Sequence, residues 1–128
     1  MAIQFKWALV AAVATLGLTA CGGGSDDGYG SIAVSESTSA VAIATGGVTQ
    51  SFANDAARDK CDADDCKVVL QFEQCGAAAA SNNASGQLVI AVAAGGSAFD
   101  AQTAANQNCT ANGGLSCGPI PNLPAQCN

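Results

Sequence analysis

Apolar residues alternate with small or polar ones over Tyr29 to Ser35 and again through Val41 and Ile43, and Glu36-Ser37-Thr38-Ser39 lies between the two runs. Period two on both sides of a polar turn predicts a β-hairpin. Gly46-Gly47 closes the second strand, and the sequence SFANDAARDKC that follows has helical spacing. Thr49 or Ser51 can cap it. Phe52, Ala56 and Ala57 then form an apolar face at i, i+4 and i+5, with Asp55, Arg58 and Asp59 pointing outward. Val68, Val69, Leu70 and Phe72 make a continuous apolar run, the pattern of a strand buried on both faces.

The same order of features recurs. CGAAAAS, LVIAVAAGG, SAFDAQTAANQNC and a Cys-led tail follow the plan of the first half. Its anchors are Gly46-Gly47 against Gly95-Gly96, and Ala56-Ala57-x3-Cys61 against Ala104-Ala105-x3-Cys109, the latter at an offset of 48. The second helix is expected over Phe99 to Asn108 with Phe99, Ala104 and Ala105 inward. Together these readings give an α+β domain of antiparallel strands and two helices, built from two pseudo-repeated β-β-α-β units.

Ahead of this domain lie one cation, Lys6, and an apolar run from Trp7 to Leu18. A run of that length matches a secretory signal peptide and is too short for a transmembrane helix, which needs about 20 apolar residues. It ends in Leu18-Thr19-Ala20-Cys21, which resembles a bacterial lipobox. That resemblance implies removal of residues 1–20 and lipidation of Cys21, with Gly22 after it favouring export to the outer membrane. Residues 22–28 (GGGSDDG) read as a flexible tether to the domain at 29–128.

Ten acidic residues, four basic ones and no histidine give the 128-residue chain a formal charge of -6. Without Lys6 the mature chain carries three basic residues against ten acidic ones, or -7. Lacking histidine, it has no Ser-His-Asp or Cys-His pair and no imidazole ligand for a metal. So few cations cannot neutralise a phosphate backbone, and nucleic acid is not an expected partner.

Few aromatics remain for a core, so covalent staples are expected. Setting Cys21 aside, the six cysteines 61, 66, 75, 109, 117 and 127 form an even set in an exported chain. They allow 15 pairings. If the halves are related by a pseudo-two-fold axis, the simplest set is Cys61–Cys66, Cys109–Cys117 and Cys75–Cys127. The last would close a loop of about 50 residues, for roughly 3 to 4 kcal/mol.

Tyr29-Gly30-Ser31-Ile32-Ala33-Val34-Ser35, the Ala-rich helix ending at Cys61, Cys66-Lys67-Val68-Val69 and Cys75-Gly76-Ala77 together resemble the family known as domain of unknown function 4189. The likeness spans Tyr29 to Cys127. It implies a small exported bacterial protein or lipoprotein with cysteines at 61, 66, 75 and 127, leaving Cys109 and Cys117 as an additional pair. The family brings no catalytic residues. Where many members carry aromatic and Gly-Trp features or Arg/Glu-rich helices, this chain has small or amide residues at 41–44 and 102–108.

The run Cys61-Asp62-Ala63-Asp64-Asp65-Cys66 is the one constellation with possible chemistry. Counted as a calcium loop from Asp62, it places Asp64 at position 3 and Glu73 at position 12 but puts Lys67 where Gly is required. A solvated acidic turn is therefore expected, with no metal and no cofactor. Asp55, Asp59 and Asp100 fall on helix faces and read as solubilising charge rather than glycosidase carboxylates. Gly114-Leu115-Ser116-Cys117-Gly118 has the bare Gly-x-Ser-x-Gly spacing, but the chain has no histidine base to activate its serine, and no phosphate-binding loop or Cys-x-x-Cys motif occurs.

The expectation is a non-enzymatic, acidic envelope lipoprotein. It would act as an inhibitor or immunity-type binding module toward a basic envelope protein or toxin, using Asp55, Asp59, Asp62, Asp64 and Asp65. The alternative is a structural or surface-exposed envelope component without a specific soluble partner.

Overall fold

The computed structural model describes residues 28–128; the signal segment, the lipobox with Cys21, and tether residues 22–27 lie outside them. In chain order the elements are β1 (Tyr29–Val34), β2 (Val41–Gly47), α1 (Gln50–Cys61), β3 (Lys67–Phe72), β4 (Cys75–Asn82), β5 (Leu88–Gly95), α2 (Ala98–Ala111), β6 (Gly118–Pro119) and β7 (Gln126–Cys127). This is a disulfide-stapled α+β domain. Its bridges join Cys61 to Cys66, Cys75 to Cys127 and Cys109 to Cys117.

The strands form two antiparallel sheets, ordered β2-β1-β3 and β5-β4-β6, with β7 also paired to β4. Each half thus places its first strand centrally. In the second half, the position of β3 is filled by two fragments of two residues each. Pro119, Pro121 and Pro124 explain the interruption, since proline donates no ladder hydrogen bond.

Alternation along the strands sorts side chains by size. Ile32, Ile43, Phe72, Ala78 and Val92 pack between the sheets. On the outer face of the first sheet, Ala33, Ala42 and Ala44 meet Ala57 and Cys61 of α1. On the second sheet, Ala77, Ala79, Val89, Ala91 and Ala93 meet Ala101, Ala105 and Cys109 of α2. The result is four layers, helix, sheet, sheet and helix, with the bulkiest packing in the middle.

Small outer layers let the helices approach closely, and glycine sets the limit. A β-carbon at Gly47 would come within 2.9 Å of Ala53 Cβ, and one at Gly95 within 2.5 Å of the Ala101 amide nitrogen. Thr49 and Ser97 cap the two helices by accepting from the amides of Phe52 and Asp100 at 3.1 and 3.0 Å. Gly47 and Gly95, Thr49 and Ser97, Ala53 and Ala101, and Cys61 and Cys109 are all equivalent at one offset of 48. The glycine match expected from sequence is corrected by one residue, because Gly47, not Gly46, corresponds to Gly95.

Three further expectations are corrected. Phe52 and Phe99 are not core residues but are 60% and 78% exposed, because the buried stripes run Ala53, Ala57, Cys61 and Ala101, Ala105, Cys109. Ala104, expected inward with Ala105, is only partly buried at the margin of the α2 cluster. β3 is not buried on both faces; it is the edge strand of its sheet, with Val68, Val69 and Leu70 only half-buried. Its apolar run has another cause. The register shifts opposite Ile32 and Ala33, which pair with Leu70 and Val68. This bulge turns the neighbours Val69 and Leu70 toward the same inter-sheet core.

Candidate functional site

The antiparallel order gives the domain two ends. Gly28, the starts of β1 and β4, the finishes of β2, β3 and β5, and the first turns of both helices share one end, as the pairs Tyr29↔Gly47, Gly30↔Phe72 and Cys75↔Gly95 require. Asn128 closes it by accepting from the Gly46 amide at 2.8 Å and donating to the Glu73 carbonyl at 2.9 Å. The opposite end carries the β1–β2 turn, the Cys61–Cys66 loop, the β4–β5 turn and the loop after α2.

The acidic loop begins where α1 stops. Asp62 takes up a left-handed conformation (φ 54°) and its amide donates back to the Arg58 carbonyl at 3.3 Å. The Cys61–Cys66 bridge then holds the loop over a short span. Within it the aspartates have separate tasks. One carboxylate oxygen of Asp65 accepts from the hydroxyls of Ser35 and Ser37 at 2.5 and 2.9 Å, and the other accepts from the Ser37 amide at 2.9 Å. These bonds, the Ser35 hydroxyl foremost, hold the Asp65 carboxyl at about 2, below its ordinary 3.8. Asp65 is therefore a clasp between this loop and the β1–β2 turn. Its partners Ser35 and Ser37 had no signal in the sequence beyond their membership of a polar turn.

Asp55, Asp59, Asp62 and Asp64 are exposed. Asp55 pairs with Arg58 at 3.1 Å on the helix surface. Asp59 lies one helical turn beyond Asp55 and leads to Asp62 and Asp64, so the structure gathers these three along the end of α1. Glu73 is not among them: β3 separates it from Cys66 by about 20 Å at the usual strand rise. Among the described residues, no three acidic or cysteine side chains cluster with the geometry of a metal site.

Buried hydroxyls are absorbed by structure. Ser31, fully buried, donates to the Asn54 side-chain oxygen, and the Gln50 amide donates to Ser31 Oγ, Asn54 Oδ1 and the Gly30 carbonyl at 2.9 to 3.0 Å. This polar knot fixes α1 on β1. The second half lacks its counterparts: Ala77 and Ala98 stand where Ser31 and Gln50 stand in the first. Gln102, in the place of Asn54, donates to the Ala78 carbonyl at 3.1 Å and to Asn106 at 3.0 Å. Its own buried oxygen is left without a partner.

The domain is thus a pair of two-layer halves, one helix on one sheet each, with an acidic, disulfide-closed end. The family model for a domain of unknown function (DUF4189) matches residues 29–122, and the chain belongs to that family. No curated protein and no solved structure matches it. No helix among the described residues is long and apolar enough to cross a membrane.

Proposed function

We propose that this protein is a non-enzymatic binding module of the bacterial cell envelope, anchored through lipidated Cys21 in the outer membrane, whose acidic end engages a basic envelope protein or toxin. The observation that carries this reading is the exposed row Asp59, Asp62 and Asp64 on a bridged, clasped loop at the end opposite Gly28. A rigid acidic surface steers a basic partner and loses little freedom on binding it. Three disulfides support an oxidising, extracytoplasmic home. The engagement of Ser31 with Asn54, and of Ser35 and Asp65 with each other, supports a scaffold rather than a catalyst.

The test is surface-plasmon binding of the mature protein to a cationic cell-wall lytic enzyme, with lysozyme as the first probe, across a salt series. The reading expects association that weakens with salt and falls in the Asp59→Asn/Asp62→Asn/Asp64→Asn variant while Asp100→Asn is unaffected. Absence of binding, or equal binding by the triple variant, contradicts the acidic end as contact surface and favours a structural envelope component. A neighbouring gene for a secreted hydrolase would name the natural partner.

A further inference from the structure

Among the described residues, five large apolar side chains are exposed: Tyr29 (37%), Val48 (78%), Phe52 (60%), Phe99 (78%) and Leu115 (70%). Four of them share the end where the chain enters the fold. Tyr29 begins β1 beside Gly28 and pairs with Gly47, which precedes Val48, and Phe52 follows in the first turn of α1. Phe99 occupies the first turn of α2. Because the helices form the two outermost layers, Phe52 and Phe99 flank this end on opposite sides of the sandwich. Leu115 alone lies at the other end. Among the described residues, exposed charge is distributed the opposite way, with Glu36, Asp62, Asp64 and Lys67 at the far end and Glu73 and Asp100 near the entry.

The geometry points to a membrane-docking face: Phe52 and Phe99, with Tyr29 and Val48 beside the first, rest on the bilayer that holds the lipidated Cys21. This inference rests on the lipid-anchor reading above. From Cys21 to Gly28 the chain advances seven residues, which reach at most about 25 Å when fully extended. The entry end is thus the one held against the lipid. Aromatic rings on a rim with few charged side chains suit the headgroup boundary, where an apolar body and wet surroundings meet. Among the described residues this end carries the Glu73 and Asp100 carboxylates and no cation, and Asp26 and Asp27 precede Gly28 in the sequence, so the occupant is a zwitterionic lipid surface rather than an anionic one. Docked in this way, the domain stands with Asp62 and Asp64 pointing away from the membrane, so the anchored protein presents its acidic end to other macromolecules.

The experiment uses the full mature lipoprotein in phosphatidylcholine vesicles. The sole tryptophan, Trp7, precedes Cys21, so Phe52→Trp, Phe99→Trp and Leu115→Trp each give a single reporter at an exposed position. Lipids brominated near the headgroup should quench most of the emission of Phe52→Trp and Phe99→Trp and leave that of Leu115→Trp unchanged. Adding anionic lipid should not increase the quenching. Protein that floats with the vesicles but shows all three reporters unquenched overturns docking while leaving the anchor intact. Protein that fails to float overturns the anchor and docking together. A blue shift that grows with protein density without bromolipid quenching assigns the face to a second copy of the chain and equally overturns the inference.

Discussion

The ring of Phe72 lies on the bare Cα of Gly30: a β-carbon there would fall within 2.8 Å of Cδ2 and nearer still to Cε2 and Cζ. Gly76 faces the same ring from the other sheet, with a β-carbon position 2.6 Å from Cδ1. One phenylalanine from the edge of the first sheet thus fills the space between the central strands of both, and the two glycines leave room for it. Gly30→Ala and Gly76→Ala should each destabilise the domain by about 1 to 3 kcal/mol through overpacking, and Phe72→Ala by about 3 to 5 kcal/mol. Urea denaturation of the oxidised protein measures this; wild-type midpoints for both alanine variants would refute the keystone role.

Helix approach gives a paired comparison. Gly95→Ala drives a methyl into the backbone of Ala101, whereas a β-carbon at Gly96 meets nothing closer than the Gln74 side-chain oxygen at 3.6 Å. Gly95→Ala should cost about 1 to 3 kcal/mol, and Gly96→Ala should leave the thermal midpoint nearly unchanged. Equal effects at the two positions would mean that the neighbouring glycines act through chain flexibility rather than space.

The Asp65 clasp predicts an acid-sensitive loop. Its folded-state carboxyl sits at about 2 against an ordinary 3.8. The ionised form is therefore favoured by folding, and its contribution is present above about pH 4 and lost as pH falls toward 2. Thermal midpoints measured from pH 5 to pH 2 should fall less steeply for Asp65→Asn than for the wild type, the variant being less stable at pH 5. Parallel curves would show that the serine bonds do not matter to stability.

The divergence between the halves also suggests a repair. Restoring the donor that Ser31 supplies in the first half, Ala77→Ser should satisfy the orphaned Gln102 oxygen and stabilise the domain by about 1 kcal/mol. A lower urea midpoint would show that the second half has repacked around alanine.

Much of this architecture was legible in the chain, because period two at Ile32, Val34, Val41 and Ile43 and the cap-plus-alanine pattern at Thr49 to Cys61 are local signals. The helix faces were not. In an alanine-lined interface the stripes Ala53-Ala57-Cys61 and Ala101-Ala105-Cys109 carry less hydrophobicity than the phenylalanine beside each, so the larger residue draws the eye inward while packing sends it out. The continuous run at Val68 to Leu70 misled for a related reason: a bulge, invisible in one strand's sequence, turns adjacent residues to one side. The acidic loop was evident as composition, but the division between a bound Asp65 and exposed Asp59, Asp62 and Asp64 depends on Ser35 and Ser37, about 30 residues away in sequence.

Whether this domain is lipid-anchored is decided by the intact mass of the protein purified from membranes. The mass should be that of a chain beginning at Cys21 with an added diacylglyceryl group and an N-linked acyl chain, and Cys21→Ser should lose both cleavage and lipid. A mature chain that begins elsewhere, or one whose Cys21 carries no lipid, would contradict it.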